Sequence, residues 1–372
     1  MPDKSISILK ERRSGEKRVI LLPEAVGQFT TNGYRVLVEH DAGLLAGFPD
    51  ATYADVGAEI VDCDGAWAGS DVIFKYKAPG PDEYQRFRPG MHLASFMHAE
   101  GNLSLVEAMR ASGMSAYALE FFRNDAGEYP VPVSDNEISG KLAILLAAYH
   151  LQSHMGGSGT LLADVPGASR PKVVVIGYGN AGGGAARLAA AMGADVTVFG
   201  TRWEGLRRFM AGMPASVRCL LNDPAVFEAA VLEADVVVGA ILISTYDTPV
   251  MLSDDLVARM KPGSIIVDVT CGYGRGYMPS FTHLTTYDEP FYERHGVLHC
   301  KIDAMPASVP LTAARATSAN VWRYLLGLAR AACDGHQDTT SKNGCVVSGG
   351  NVVHPEVLRH IAMKEGGLAD AV

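Results

Sequence analysis

Apolar positions in this chain come in short dense runs rather than long stripes. Val173-Val174-Val175-Ile176 is the clearest of them, four consecutive apolar residues, mostly β-branched. Such a run suits a strand buried on both faces of a parallel sheet. Similar signals recur at Tyr34 to Val38, Glu59 to Val61, Asp71 to Lys75, His92 to Met97 and Ser115 to Glu120. They continue at Asp195 to Phe199, Asp235 to Ala240, Ser264 to Val269 and, last, Lys301 to Ala304. Val19 to Leu22 is a further apolar run, ended by Pro23. Between these runs the period changes from two to 3.6. Leu103 to Ser112 and Ala185 to Met192 read as helices, and Leu311 to Cys333 as a long apolar one. Asn136 to Met155 reads as another long helix, with Ser134 or Asp135 as its N-cap and Gly156-Gly157 as its stop. A short helix, His354 to Lys364, closes the chain. The alternation predicts an α/β fold, with two doubly wound (Rossmann-like) parallel-sheet domains and an interdomain cleft.

One junction carries chemistry. Gly177-Tyr178-Gly179-Asn180-Ala181-Gly182 follows the strand at Val173 to Ile176 at once and runs into a helix. It matches GxGxxG in the strand–turn–helix setting that makes the motif specific for a dinucleotide. Gly177 would allow the tight turn, Gly179 the approach of a pyrophosphate, and Gly182 close packing of helix on strand, with Asn180 and Ala181 at the helix N-terminus. The next strand ends in Gly200-Thr201-Arg202, without the Asp or Glu that binds a ribose 2′-OH. A hydroxyl and a guanidinium remain, so Thr201 and Arg202 are expected to take a 2′-phosphate. The expected cofactor is therefore NADP(H). Residues 136–310 are the expected NADP(H)-binding domain, and 1–135 with 311–372 the substrate domain.

Composition narrows the class. A chain of 372 residues exceeds one compact core. A net charge of -9 with no basic stripe argues against nucleic acid or an anionic membrane. No apolar run reaches transmembrane length, and the N-terminus lacks the apolar core of a signal peptide. The six cysteines are scattered without a CxxC pair, which fits reduced cytoplasmic thiols rather than disulfides or a zinc site. No metal is expected.

Many stretches, in order, resemble the alanine dehydrogenase family, which includes the nucleotide-binding subunit of transhydrogenase. They are GEKRVILLPEAV (15–26), FKYKAP (74–79), SFMHAEGN (95–102), NEISGKLAILLAAYHL (136–151), the glycine unit, ADVVVGAIL (234–242), MKPGSIIVDV (260–269) and MPASVP (305–310). The resemblance implies that Arg18 and Lys77 hold the substrate carboxylate and carbonyl, that His98 is the catalytic histidine, and that Met305 lies in the cofactor set. The chemistry agrees, because a 2-oxo acid needs cations for its carboxylate and a proton donor near the carbon that receives hydride. Two positions depart from the family pattern. Gly272 stands where a second catalytic Asp is usual, four residues after Asp268, and Ala304 where an Asn is usual.

In GEKRVILLP, the Gly-Asn pair and the GTR ending, the chain is more similar to the carboxyethyl-ornithine synthase branch. Arg275 would then serve a second substrate carboxylate. The leading expectation is an NADP(H)-dependent oxidoreductase that reduces an imine of a 2-oxo acid and an amino-acid amine. Alanine dehydrogenase itself is the alternative, and a non-catalytic NADP(H) sensor is a third reading. Relatives are oligomers, so the two apolar helices are expected to be shared in a homo-oligomer.

Overall fold

The computed structural model describes residues 4–241, 249–270 and 276–365. Gly272 and Arg275 lie outside these. The chain divides into two compact units. One holds the described residues up to Asp135 together with those from Ala307 onward, and the other runs Asn136–Pro306.

The first unit contains strands β1 (Ser5–Ile8), β2 (Arg35–Glu39), β3 (Glu59–Val61), β4 (Val72–Lys77), β5 (His92–Phe96) and β6 (Ser115–Ala118). The second contains β7 (Lys172–Ile176), β8 (Asp195–Gly200), β9 (Arg218–Leu221), β10 (Val236–Gly239), β11 (Ile265–Asp268), β12 (Tyr292–Arg294) and β13 (Val297–Cys300). The chain then returns to the first sheet with β14 (Cys345–Ser348) and β15 (Asn351–Val352).

The first sheet has the order β15-β14-β6-β5-β4-β1-β2-β3, and the second β12-β13-β11-β10-β7-β8-β9. Pairing is parallel except where β14, β15 and β12 join at one edge. Both sheets are doubly wound. Strand order reverses at β1 in the first and at β7 in the second, and ligands of such sheets bind at the carboxyl ends beside that switch point. Among the described residues no helix is long and apolar enough to cross a membrane.

The apolar runs explain the layers. In β7, Val173 and Val175 enter one core while Val174 and Ile176 enter the core on the opposite face. In β4, Phe74 faces one core and Ile73 the other. The long helix Pro310–Asp334 packs Val321, Leu325 and Leu328 into the core that holds Phe74 and Tyr76.

Several elements differ from the sequence expectation. The central strand β1 was not expected, because Ser5 and Ser7 alternate with its apolar residues, yet both serines are buried. Val19 to Leu22 is a buried loop rather than regular structure. Side chains satisfy its backbone, with Tyr53 donating to the Leu21 carbonyl at 3.0 Å and the Leu22 N–H donating to Ser318 Oγ at 2.8 Å. The expected helix Asn136 to Met155 is Val133–His150, followed by a separate turn at Ser153–Met155. Neither Ser134 nor Asp135 caps it, since both lie inside its first turn. The strand placed at Lys301 to Ala304 is instead Val297–Cys300.

Candidate active site

The first unit collects Arg18, Lys77 and His98 at the carboxyl edge of its sheet. Lys77 is the last residue of β4 and pairs in register with Phe96, two residues before His98. Arg18 lies on the loop after β1, with its guanidinium 4.1 Å over the ring of Tyr76, the neighbour of Lys77. It is 2% exposed, so it is not the solvated surface charge that most arginines are.

Arg18 is held from three sides. Its Nε and Nη2 donate to the two oxygens of Glu16 at 2.7 and 2.6 Å. Its Nη1 donates to Tyr76 Oη at 3.1 Å and to Asp135 at 3.0 Å. Burial alone would disfavour its charge, but Tyr76, Glu16 and Asp135 raise its pKa further above the ordinary range. Burial likewise pushes Glu16 up, yet the Arg18 hydrogen bonds and charge, with Lys77 adding to them, hold it below the usual carboxylate range. Glu16 thus senses both cations.

The two lysines of FKYKAP behave differently. Lys75 is locked to Glu11 at 2.9 Å and Glu83 at 3.6 Å. Lys77, also buried, forms no salt bridge among the described residues. A cation whose ammonium is not tied to a carboxylate in a salt bridge is the one available to a substrate anion.

His98 follows β5 in a left-handed conformation, φ 45. Glu120, just beyond β6, clamps this turn, accepting the N–H of Met97 at 3.2 Å and of His98 at 2.5 Å. Burial, with Glu100 adding to it, pushes the Glu120 carboxyl up to about 7. Glu120, Glu16, Asp135 and Tyr76 were not identified from the sequence. Their only signal was proximity to motif residues, which does not reveal direction.

In the second unit the glycine turn has the shape a dinucleotide needs. Gly177 has φ 110, and a Cβ there would lie 2.4 Å from the Ala240 carbonyl oxygen at the switch point. A Cβ on Gly182 would lie 2.1 Å from the Gly177 oxygen, so the helix Asn180–Ala191 starts in direct backbone contact with the turn. At Gly179 a Cβ would meet nothing within 4 Å. Gly179 is the N-cap and supplies no side-chain cap, so the N–H groups of the first turn lie beside that open space. This geometry fits a pyrophosphate. Thr201 and Arg202 are exposed after β8. Met305 is buried in the core behind β11 and β13, and its carbonyl accepts from Tyr287 at 2.8 Å. Asp268, ending β11, pairs with Lys301 at 2.8 Å and accepts from Tyr277 and from the Thr270 N–H at 3.0 Å each.

Residues 7–137 match the family description "Alanine dehydrogenase/PNT, N-terminal domain", and residues 143–355 its C-terminal counterpart. The chain belongs to the alanine dehydrogenase/PNT family. It is 36% identical to the alanine dehydrogenase of Bacillus subtilis (strain 168), over 96% of this chain and 94% of that one. Identity to the alanine dehydrogenase of Mycobacterium tuberculosis (strain ATCC 25618 / H37Rv) is also 36%, over 88% and 89%. A solved L-alanine dehydrogenase superposes with a TM-score of 0.88 at 32% identity, covering 96% of this chain and 99% of that one. The transhydrogenase of Sinorhizobium meliloti shares the fold, with a TM-score of 0.76 at 23% identity and coverage of 94% and 99%. The family places the chain among oxidoreductases of amino acids that work with a nicotinamide cofactor. The relatives favour the alanine dehydrogenase alternative over the carboxyethyl-ornithine synthase branch, for which the comparisons offer no support.

Proposed function

We propose that this chain is an amino-acid dehydrogenase of the alanine dehydrogenase type, interconverting a small 2-amino acid with its 2-oxo acid and ammonia. The observation that carries this reading is the grouping of Arg18, Lys77 and His98 on one sheet edge, with Lys77 in no salt bridge among the described residues. The first unit would hold the substrate and the second the nucleotide. Lys77 would take the substrate carboxylate or carbonyl, and Arg18, its guanidinium held in place by Glu16, Tyr76 and Asp135, would be the second cation of the grip. His98 would give and take the proton at the reacting centre, a role that suits imidazole because unperturbed histidine titrates near neutrality. When bound, the nicotinamide supplies or accepts the hydride. The preferred form would be NADP(H), because no carboxylate ends β8 and Arg202 follows it. A sensor without turnover has no use for the cationic grip or for a clamped histidine.

One feature favours the opine-type reading as a second possibility. Ala304 occupies a left-handed position, φ 57, which Asn adopts with less strain. The backbone keeps the shape suited to the usual Asn but lacks the amide, which leaves room for a larger amine. NADPH and NADH oxidation with pyruvate and ammonia tests the main reading, against pyruvate, glyoxylate or 2-oxoglutarate with ornithine or lysine. Turnover with ammonia supports it. Turnover only with an amino-acid amine replaces it with the opine reading. Nucleotide binding without turnover on any pair replaces it with the sensor.

A further inference from the structure

The residue between the first two glycines of the turn has a contact that the motif does not explain. Tyr178 lays its ring across the end of β8. A Cβ built on Gly200 would lie 2.3 Å from its Cδ1 and 2.5 Å from its Cε1. The other edge of the ring is backed by Gly205, where a Cβ would lie 2.7 Å from the hydroxyl and 2.8 Å from Cε2. These separations fall well inside the ~3.5–4.0 Å at which carbon atoms pack. Phe209 meets the ring edge-on, with centroids 6.2 Å apart at 61°. The phenol is thus wedged between two backbone stretches that carry no side chain at the point of contact. It cannot move away from Gly200 without pressing on Gly205.

Gly200 is the last residue of β8, where a dinucleotide fold places the carboxylate that reads a ribose 2′-OH. Any side chain there, Asp included, would need the volume that the Tyr178 ring fills. We propose that Tyr178 is a specificity-determining residue for the nucleotide: its ring excludes an acidic side chain from position 200 and keeps the ribose end of the site open to a phosphate. The proposal rests on the nucleotide-binding reading of the second unit given above. It gives the missing carboxylate a cause, since position 200 and position 178 form one packing unit. A residue in the pyrophosphate turn thereby controls what the next strand can carry.

The test uses the full chain with Gly200→Asp, Tyr178→Ala and the double variant, reading the melting temperature and the binding of NADPH and NADH by nicotinamide fluorescence. Gly200→Asp alone is expected to lower the melting temperature and weaken both nucleotides. The double variant is expected to recover most of that melting temperature and to shift the NADH-to-NADPH affinity ratio toward NADH by roughly tenfold or more, about one good hydrogen bond. Gly200→Ala, carrying the Cβ alone, reads the same coupling if the Asp variant does not fold. A Gly200→Asp protein as stable as the parent overturns the proposal, as does a double variant without recovery or without the ratio shift. A parent that binds NADH more tightly than NADPH overturns only the 2′-phosphate reading. The proposal is then decided by the recovery and by the gain in NADH affinity over the parent.

Discussion

The backbone at His98 turns left-handed in a region costly for a residue with a Cβ, and the half-buried carboxylate of Glu120 keeps it there. Glu120 accepts two successive N–H groups, so its side chain does the work that a neighbouring strand would do. The position of the histidine therefore depends on Glu120. His98→Ala is expected to lower kcat about 10²–10⁴-fold with nucleotide binding unchanged, measured by steady-state kinetics and fluorescence titration. Glu120 also gives the fold a pH dependence. Desolvation, with Glu100 adding to it, raises its folded pKa from the ordinary 4.5 of a free carboxyl to about 7. The neutral form is thus favoured by folding, and its contribution is complete below pH 4.5 and lost as pH rises through 7. A gap of that size corresponds to at most about 3 kcal/mol. Melting temperatures recorded from pH 5 to 8 should fall for the parent, and the fall should be smaller for Glu120→Gln. Equal slopes would show that another group carries the dependence.

Two helices of the second unit cross with their backbones in contact. A Cβ on Gly140, in the helix Val133–His150, would lie 1.9 Å from the Ala181 carbonyl oxygen. One on Gly184, in the helix Asn180–Ala191, would lie 2.5 Å from the Glu137 oxygen. Helical glycine costs up to about 1 kcal/mol in propensity, so these residues look like weak points in isolation. In the fold they set the spacing that lets the helix of the glycine turn begin where it does. Gly140→Ala should therefore destabilise despite its better propensity, by about 1–3 kcal/mol from overpacking, readable in denaturant unfolding. Ala304→Gly should do the opposite, by about 1 kcal/mol, because it relieves a left-handed Ala. The sequence signalled the helices themselves through their apolar spacing. It did not signal the crossing, because a glycine that is required and one that is merely tolerated are the same residue.

At the scale of the molecule, the helix Val133–His150 is almost wholly apolar from Leu142 onward, yet Leu145 and Tyr149 are 51% and 52% exposed. An all-round apolar helix is ordinarily buried. We expect a second copy to cover this face in a homo-oligomer. Light scattering should show a mass above that of the single chain, and Leu145→Asp with Tyr149→Asp should reduce it without unfolding the protein.

Local patterns determined much of this protein. β-branched runs such as Val173 to Ile176 suit a sheet covered on both faces, and GxGxxG between strand and helix leaves few conformations open, so the α/β class and the glycine turn were legible before any contact was known. The resemblance also pointed to Arg18, Lys77 and His98, which the first unit brings to one sheet edge. Tertiary structure decided the rest. It made β1 a central strand although half its residues are serines, because neighbours on both sides bury them. It kept Val19 to Leu22 out of the sheet, because side chains from distant segments satisfy that backbone. It locked Lys75 to Glu11 and Glu83, left Lys77 without a salt bridge among the described residues, and set Glu120 under His98 and Tyr178 against Gly200. Each of these depends on which residues meet across long separations in the chain, and pairwise geometry of that kind is not written in the local order of residues.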